Sequence, residues 1–163
     1  MRAHAGALIG LSGVFMLTGC VMPGGAPGGH MDGGSTQVSC AESSSVTLDG
    51  RGTRYDVDGD CAEVVVRGED LTVRLAGSTS LSIEGRDNDI ESGAGLGAVT
   101  IRGDDNNVEA RTIASITIAG NDNDIEAATV GSVEIAGDDN GVEAGNDPQP
   151  VRLSGEGNTV ERR

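Results

Sequence analysis

Glycine recurs at a near-constant interval, and no other feature of the 163-residue chain constrains its fold as much. Gly50, Gly68, Gly85, Gly103, Gly120, Gly137 and Gly155 are spaced by 18, 17, 18, 17, 17 and 18 residues. Four residues before each stand Val46, Val64, Leu81, Val99, Ile116, Val133 and Val151. Two before stand Leu48, Val66, Ile83, Ile101, Ile118, Ile135 and Leu153. Five after stand Tyr55, Val73, Ile90, Val108, Ile125, Val142 and Val160. All of these are apolar in a chain only 36% hydrophobic. Within a unit, as in Ile116-Thr117-Ile118, apolar and polar residues alternate with period two, which means strand with one face inward.

A unit of this length buries too little surface to fold alone, so neighbouring copies must stack. Parallel coils about 4.8 Å apart then form a β-solenoid, and seven of them rise roughly 30 Å. The expected class is therefore all-β: a parallel β-helix of about seven coils, wound right-handed. Cys61, Leu96, Ile113 and Val130, seven before Gly, supply a further inward stripe. Ala110, Ala127 and Ala144, seven after Gly, suit a tight interior. A β-branched and aliphatic column of this kind packs on the pleat without rings, which fits one Phe, one Tyr and no Trp.

Stacking also aligns the polar turns. Asn88, Asn106, Asn123, Asn140 and Asn158 lie three after each Gly and predict an Asn ladder, amide bonding to amide along the axis. Thr53 and Leu71 stand there in the first two coils, which read as an atypical cap. Asp87, Asp105, Asp122 and Asp139 stack two after Gly, and Glu91, Glu109, Glu126, Glu143 and Glu161 stack six after. Like charges about 4.8 Å apart repel. Two readings follow: solvated faces relieved by outward Arg67, Arg74, Arg86 and Arg102, or calcium held by the four Asp, as in a calcium-binding β-roll. The β-roll nonapeptide needs Gly-Gly-x-Gly, which does not occur in the repeats. The leading expectation is no cofactor, with calcium as the alternative. At the far end, Asp147-Pro148-Gln149-Pro150 and the charged Glu161-Arg162-Arg163 are expected to guard the open strand edge.

The start of the chain carries an address. Arg2, an apolar run from Ala5 to Leu17 and then Leu17-Thr18-Gly19-Cys20 resemble a lipoprotein signal with its lipobox. The organisation expected is signal peptide 1–19, a lipidated Cys20 with a Gly/Pro-rich tether over 20–37, and the solenoid over 38–163. The partners expected are a membrane, reached through the lipid, and an envelope protein or glycan. The location expected is the outer face of the cell membrane or the envelope. Export leaves Cys40 and Cys61 as a pair in an oxidising compartment, which predicts a disulfide. His30 falls in the tether, where it reads as solvated.

With 26 acidic residues against 11 Arg, a net −15, nucleic acid is excluded as a partner. No Ser-His-Asp set, phosphate loop or His/Cys cluster is present, so no enzyme is expected; a polysaccharide lyase or glycosidase using surface carboxylates is the remaining catalytic alternative.

The lipobox, the paired Cys40 and Cys61, and units such as Val99-Thr100-Ile101-Arg102-Gly103-Asp104-Asp105-Asn106-Asn107-Val108-Glu109 together resemble one family. It is the domain of unknown function numbered 3060, common in actinobacterial, especially mycobacterial, exported proteins and lipoproteins. The resemblance covers about residues 38–162. It implies an envelope location and a β-solenoid, with no established activity. Its members usually carry Asn-Asn turns, where this chain has Asp in most.

Overall fold

A computed structural model describes residues 35–40 and 44–163. The signal peptide, Cys20, His30 and most of the tether lie outside the described residues. The unit that contains the repeats is a stack of parallel strands with no helix among the described residues. The strands are β1 (Thr36–Ser39), β2 (Ser45–Arg51), β3 (Arg54–Glu69), β4 (Thr72–Ile83) and β5 (Asp89–Ile101). They continue as β6 (Asn107–Ile118), β7 (Asp124–Ala136), β8 (Gly141–Ala144), β9 (Val151–Ser154) and β10 (Thr159–Arg162). From β3 to β8 each strand pairs in parallel with the next. Each coil of chain thus lies on the one before it, which is a β-solenoid of about seven turns.

Register follows the glycine column. Val99 pairs with Ile116 and Ile101 with Ile118; Ile116 in turn pairs with Val133 and Ile118 with Ile135. Where a coil of 18 residues meets one of 17, the surplus residue must leave the ladder, and it does so at one corner. Register shifts fall between Val57 and Asp60, between Leu75 and Ser78, and between Ser92 and Gly95. β6 and β7, whose coils are equally long, pair without a shift. Small residues at that corner, Asp58-Gly59 and Gly93-Ala94, accommodate the bulge.

The interior is one column of aliphatic side chains. Leu81, Ile83, Ile90, Ile101, Ile118 and Ile125 are all buried, with Val57, Leu75 and then Ala110, Ala127 and Ala144 filling a second inward row. In the row of Cys61, Leu96, Ile113 and Val130, Ser78 takes the place of an apolar residue. Its Oγ is buried and has no hydrogen-bond partner.

The two ends differ. Leu48 in the first coil is 1% exposed, whereas Val151 and Leu153 in the last coil are 37% and 47% exposed. Val151 and Leu153 keep the inward register, pairing with Val133 and Ile135, but stay exposed on the outermost coil of that end. Pro148 and Pro150 sit in the turn between β8 and β9. They leave the outer edges of β9 and β10 unpaired, since β9 pairs with β7 alone and β10 with β8 alone. Of the expected guards, the prolines stand on the turn before β9, and the charged Glu161 and Arg162 stand exposed on β10 itself.

Candidate functional site

The most ordered polar feature is the turn that follows each glycine. Asn88 Nδ2 donates to Asn106 Oδ1 at 2.9 Å, Asn106 Nδ2 to Asn123 Oδ1 at 3.0 Å, Asn123 Nδ2 to Asn140 Oδ1 at 2.9 Å and Asn140 Nδ2 to Asn158 Oδ1 at 3.0 Å. Each receiving oxygen also takes a backbone N–H from the coil before, as Asn123 N–H reaches Asn140 Oδ1 at 3.0 Å. The second amide hydrogen goes to a glycine carbonyl, Asn123 to Gly103 O at 3.0 Å and Asn140 to Gly120 O at 2.9 Å. Asn88, Asn106, Asn123 and Asn140 are buried at 1% exposure, so a buried amide with both hydrogens and its oxygen bonded explains the residue choice. In the second coil, Leu71 is buried at the equivalent place and its N–H donates to Asn88 Oδ1 at 3.0 Å, which ends the ladder. In the first coil, Thr53 donates to Arg51 O, and the Tyr55 hydroxyl donates to Asp49 O at 2.6 Å.

The aspartates two after each Gly have a conformational reason to be there. Asp70, Asp87, Asp105, Asp122 and Asp139 have φ between 54° and 56°, the left-handed region that Asp tolerates better than most side chains. Their neighbours in the first and last coils are Gly52 and Gly157, also at positive φ. Asp87, Asp105, Asp122 and Asp139 are exposed. Among the described residues, no three His, Cys, Asp or Glu side chains come together in a group that could hold a metal.

Two further columns were not anticipated. One residue after Gly, Asp104 Oδ1 accepts the Asn121 N–H at 2.7 Å, Asn121 Oδ1 accepts the Asp138 N–H at 2.9 Å, and Asp138 Oδ1 accepts the Glu156 N–H at 2.7 Å. A second ladder thus runs beside the first over the last four coils. Over the first four coils, down to the Asp104 that starts this ladder, the same column alternates in charge, reading Arg51, Glu69, Arg86, Asp104. The column on the other side of the glycines reads Asp49, Arg67, Glu84, Arg102, opposite in sign at every level. Glu69 pairs with both Arg51 and Arg86, and Arg67 Nε meets Glu84 Oε2 at 2.8 Å. The hydrogen bond to Glu84 and then its negative charge raise the Arg67 pKa above the ordinary guanidinium value. Writing the residues flanking each Gly in columns would have revealed this alternation.

Between these columns runs a cleft of about 430 Å³, floored by Gly50, Gly68, Gly85 and Gly103 and walled by Arg51, Arg67, Glu69, Glu84 and Arg86. The floor is glycine because coils touch there: a Cβ on Gly103 would overlap the Gly85 carbonyl oxygen, and one on Gly85 would overlap that of Gly68. Close stacking, and not an approaching ligand, therefore accounts for these glycines. A second cleft, of about 420 Å³, lies at the bulged corner beside Asp56, Asp58, Arg74 and Glu91. Arg74 Nε there meets Glu91 Oε2 at 3.1 Å.

Cys40 and Cys61 are joined in a disulfide, with Cα atoms 5.2 Å apart. β1 lies over β3 with Val38 on Val57 and Ser39 on Asp58, so Cys40 falls over Gly59, two residues short of Cys61. The bridge is diagonal between adjacent coils, which is how two cysteines at inequivalent repeat positions meet. Gly59, at φ +87°, permits this approach, since a Cβ there would come within 2.6 Å of the Cys40 carbonyl oxygen.

Neither the curated proteins nor the solved structures give a match to this chain. A family model described as "Protein of unknown function (DUF3060)" matches residues 48–96 and 94–129. The two matches overlap slightly, run from the first coil into the fifth and together span just over half of the sequence, and the chain belongs to the DUF3060 family.

Proposed function

We propose that this chain is a lipid-anchored protein of the cell envelope whose solenoid is a structural or interaction module, docking an envelope protein or glycan and carrying out no catalysis itself. The observation that carries the reading is the Cys40–Cys61 bridge, which clips the strand continuing the tether to the first full coil. Such a bridge persists in oxidising, exported compartments. It sits where a pull from a membrane anchor would enter the domain. The Leu17-Thr18-Gly19-Cys20 sequence supplies the anchor chemistry: a diacylglyceryl thioether on Cys20 after cleavage at Gly19. Two or more acyl chains, each methylene contributing about 0.8 kcal/mol, hold a protein firmly on a bilayer.

Intact-mass analysis of the chain from the membrane fraction tests this. The expected product begins at Cys20 and carries the added mass of diacylglycerol, and Cys20→Ser moves the protein into the soluble fraction. A product retaining residues 1–19, or starting at an unmodified Cys20, overturns it.

A further inference from the structure

We infer that the glycine-floored cleft is a docking face for a second copy of this chain, the two solenoids lying side by side and antiparallel across it. One wall of the cleft reads Asp49, Arg67, Glu84, Arg102 and the other reads Arg51, Glu69, Arg86, Asp104. A two-fold axis that crosses the cleft between its second and third coils sets the first coil of one copy on the fourth coil of the other. Asp49 then meets Arg102 of the second copy, Arg67 meets Glu84, Arg51 meets Asp104 and Glu69 meets Arg86. Each contact joins opposite charges, and the symmetry makes each one twice. A column of four alternating signs is its own complement when reversed, and both walls have that form.

The pairs made within one chain leave the ends of this pattern open. Glu69 holds Arg51 and Arg86, and Arg67 holds Glu84. Asp49 and Arg102, at the two ends of their wall, form no ion pair among the described residues. Asp104 accepts from Asn121 through Oδ1, which leaves its Oδ2 for a cation. The two-fold brings these open groups together, Asp49 of each copy on Arg102 of the other and Asp104 of each on Arg51. The inner pairs stay intact, because a carboxylate offers about four lone-pair sites and a guanidinium about five donors.

The alternation stops at the fourth coil: Ala119 and Ala136 continue one wall, and Asn121 and Asp138 the other. Antiparallel packing sends the last three coils of the two copies to opposite ends, so Asp138 and Glu156 of one do not face those of the other. A parallel arrangement would lay these acidic coils side by side. Repulsion between the remaining acids is screened over about 8 Å at physiological salt, a distance well beyond that of the contact pairs. Three steps of about 4.8 Å make the contact roughly 14 Å long, so the dimer is weak and transient.

The test uses the full chain with Cys20→Ser, which keeps lipid out of the measurement and makes the result independent of the proposed anchor. Sedimentation equilibrium at physiological salt, from about 10 μM to about 1 mM, should show reversible association from one chain to two. Arg102→Glu should raise the dissociation constant by about tenfold or more, because it sets an acid against Asp49 twice per dimer. Asp49→Arg should weaken the dimer likewise, and the double variant should return to within about threefold of the parent. Arg111→Glu, an equal change of charge at the bulged corner, should leave association unchanged. All three positions are exposed, so each variant should melt within about 2 °C of the parent. A single-chain mass at every concentration overturns the inference. So does a dimer indifferent to Arg102→Glu, one weakened equally by Arg111→Glu, or a double variant as weak as the single ones.

Discussion

Asn140 Oδ1 accepts two hydrogen bonds from Asn123 in the neighbouring coil, one from its side-chain amide at 2.9 Å and one from its backbone N–H at 3.0 Å. One buried oxygen thus fixes both the turn and the stacking of the next coil. Removing the Asn123 side chain orphans the Asn106 N–H and Nδ2, which it accepts, as well as the Gly103 carbonyl. A buried polar group left unpaired costs about 1–3 kcal/mol. Asn123→Ala should therefore lower stability by roughly 2–4 kcal/mol, or about 5–15 °C in melting temperature. Asp122→Ala should cost only about 1–2 kcal/mol, the penalty of Ala in the left-handed region, and Asp122→Gly should cost nothing or stabilise. Equal losses for Asn123→Ala and Asp122→Ala in thermal melts would remove the ladder from the account.

Gly103→Ala should be far more damaging than Gly52→Ala. The Gly52 Cβ would meet nothing within 4 Å, so only its φ of +60° is penalised, by about 1–2 kcal/mol. A Cβ on Gly103 overlaps backbone of the coil below, which cannot move aside without breaking the stack. Denaturant melts of the two variants compare them directly. A Gly103→Ala protein as stable as Gly52→Ala would mean that the coils are not in contact at this column.

Replacing both Cys40 and Cys61 by Ser should cost about 3 kcal/mol, the loop-closure value for a separation of 21 residues. The loss should appear first as exchange of β1 amides with solvent, because β1 is held by β3 and the bridge alone. Thiol titration of the unfolded, unreduced mature protein should find neither Cys40 nor Cys61 free. Two free thiols there would contradict the bridge.

Addition of a chelator should leave the melting temperature unchanged, and added calcium should do no more than screen charge as other salts do. The Asp column follows a left-handed turn and points its carboxylates outward, so backbone conformation accounts for it. A melting temperature that rises by several degrees with calcium and falls with chelator would restore the cation reading.

Much of this architecture was legible because its unit is short and strictly repeated. Ile101, Ile118 and Ile135 declare the interior by position alone, and the five Asn declare their ladder by stacking. What escaped was carried by residues whose type varies while their role persists. Asp104, Asn121, Asp138 and Glu156 occupy one column, the first three offering a side-chain oxygen to the next coil's N–H, yet they share no single letter. The Arg51–Glu69–Arg86 alternation was hidden because opposite charges look unlike in an alignment, although pairing makes them equivalent. The contrast between buried Leu48 and exposed Leu153 distinguishes the two ends of the stack, which periodicity within the coils does not contain.

The central claim is that equivalent residues climb one axis in equal steps, and a spin-label ruler reads this directly. With one label fixed at Arg152, a second is placed in turn at Thr100, Ser82, Val65 and Thr47, all three residues before a column glycine. The separation measured by pulsed electron resonance should lengthen by about 4.8 Å per coil, from roughly 14 Å to roughly 29 Å. Distances that fail to grow in order, or that cluster at one value, would contradict the stacked solenoid.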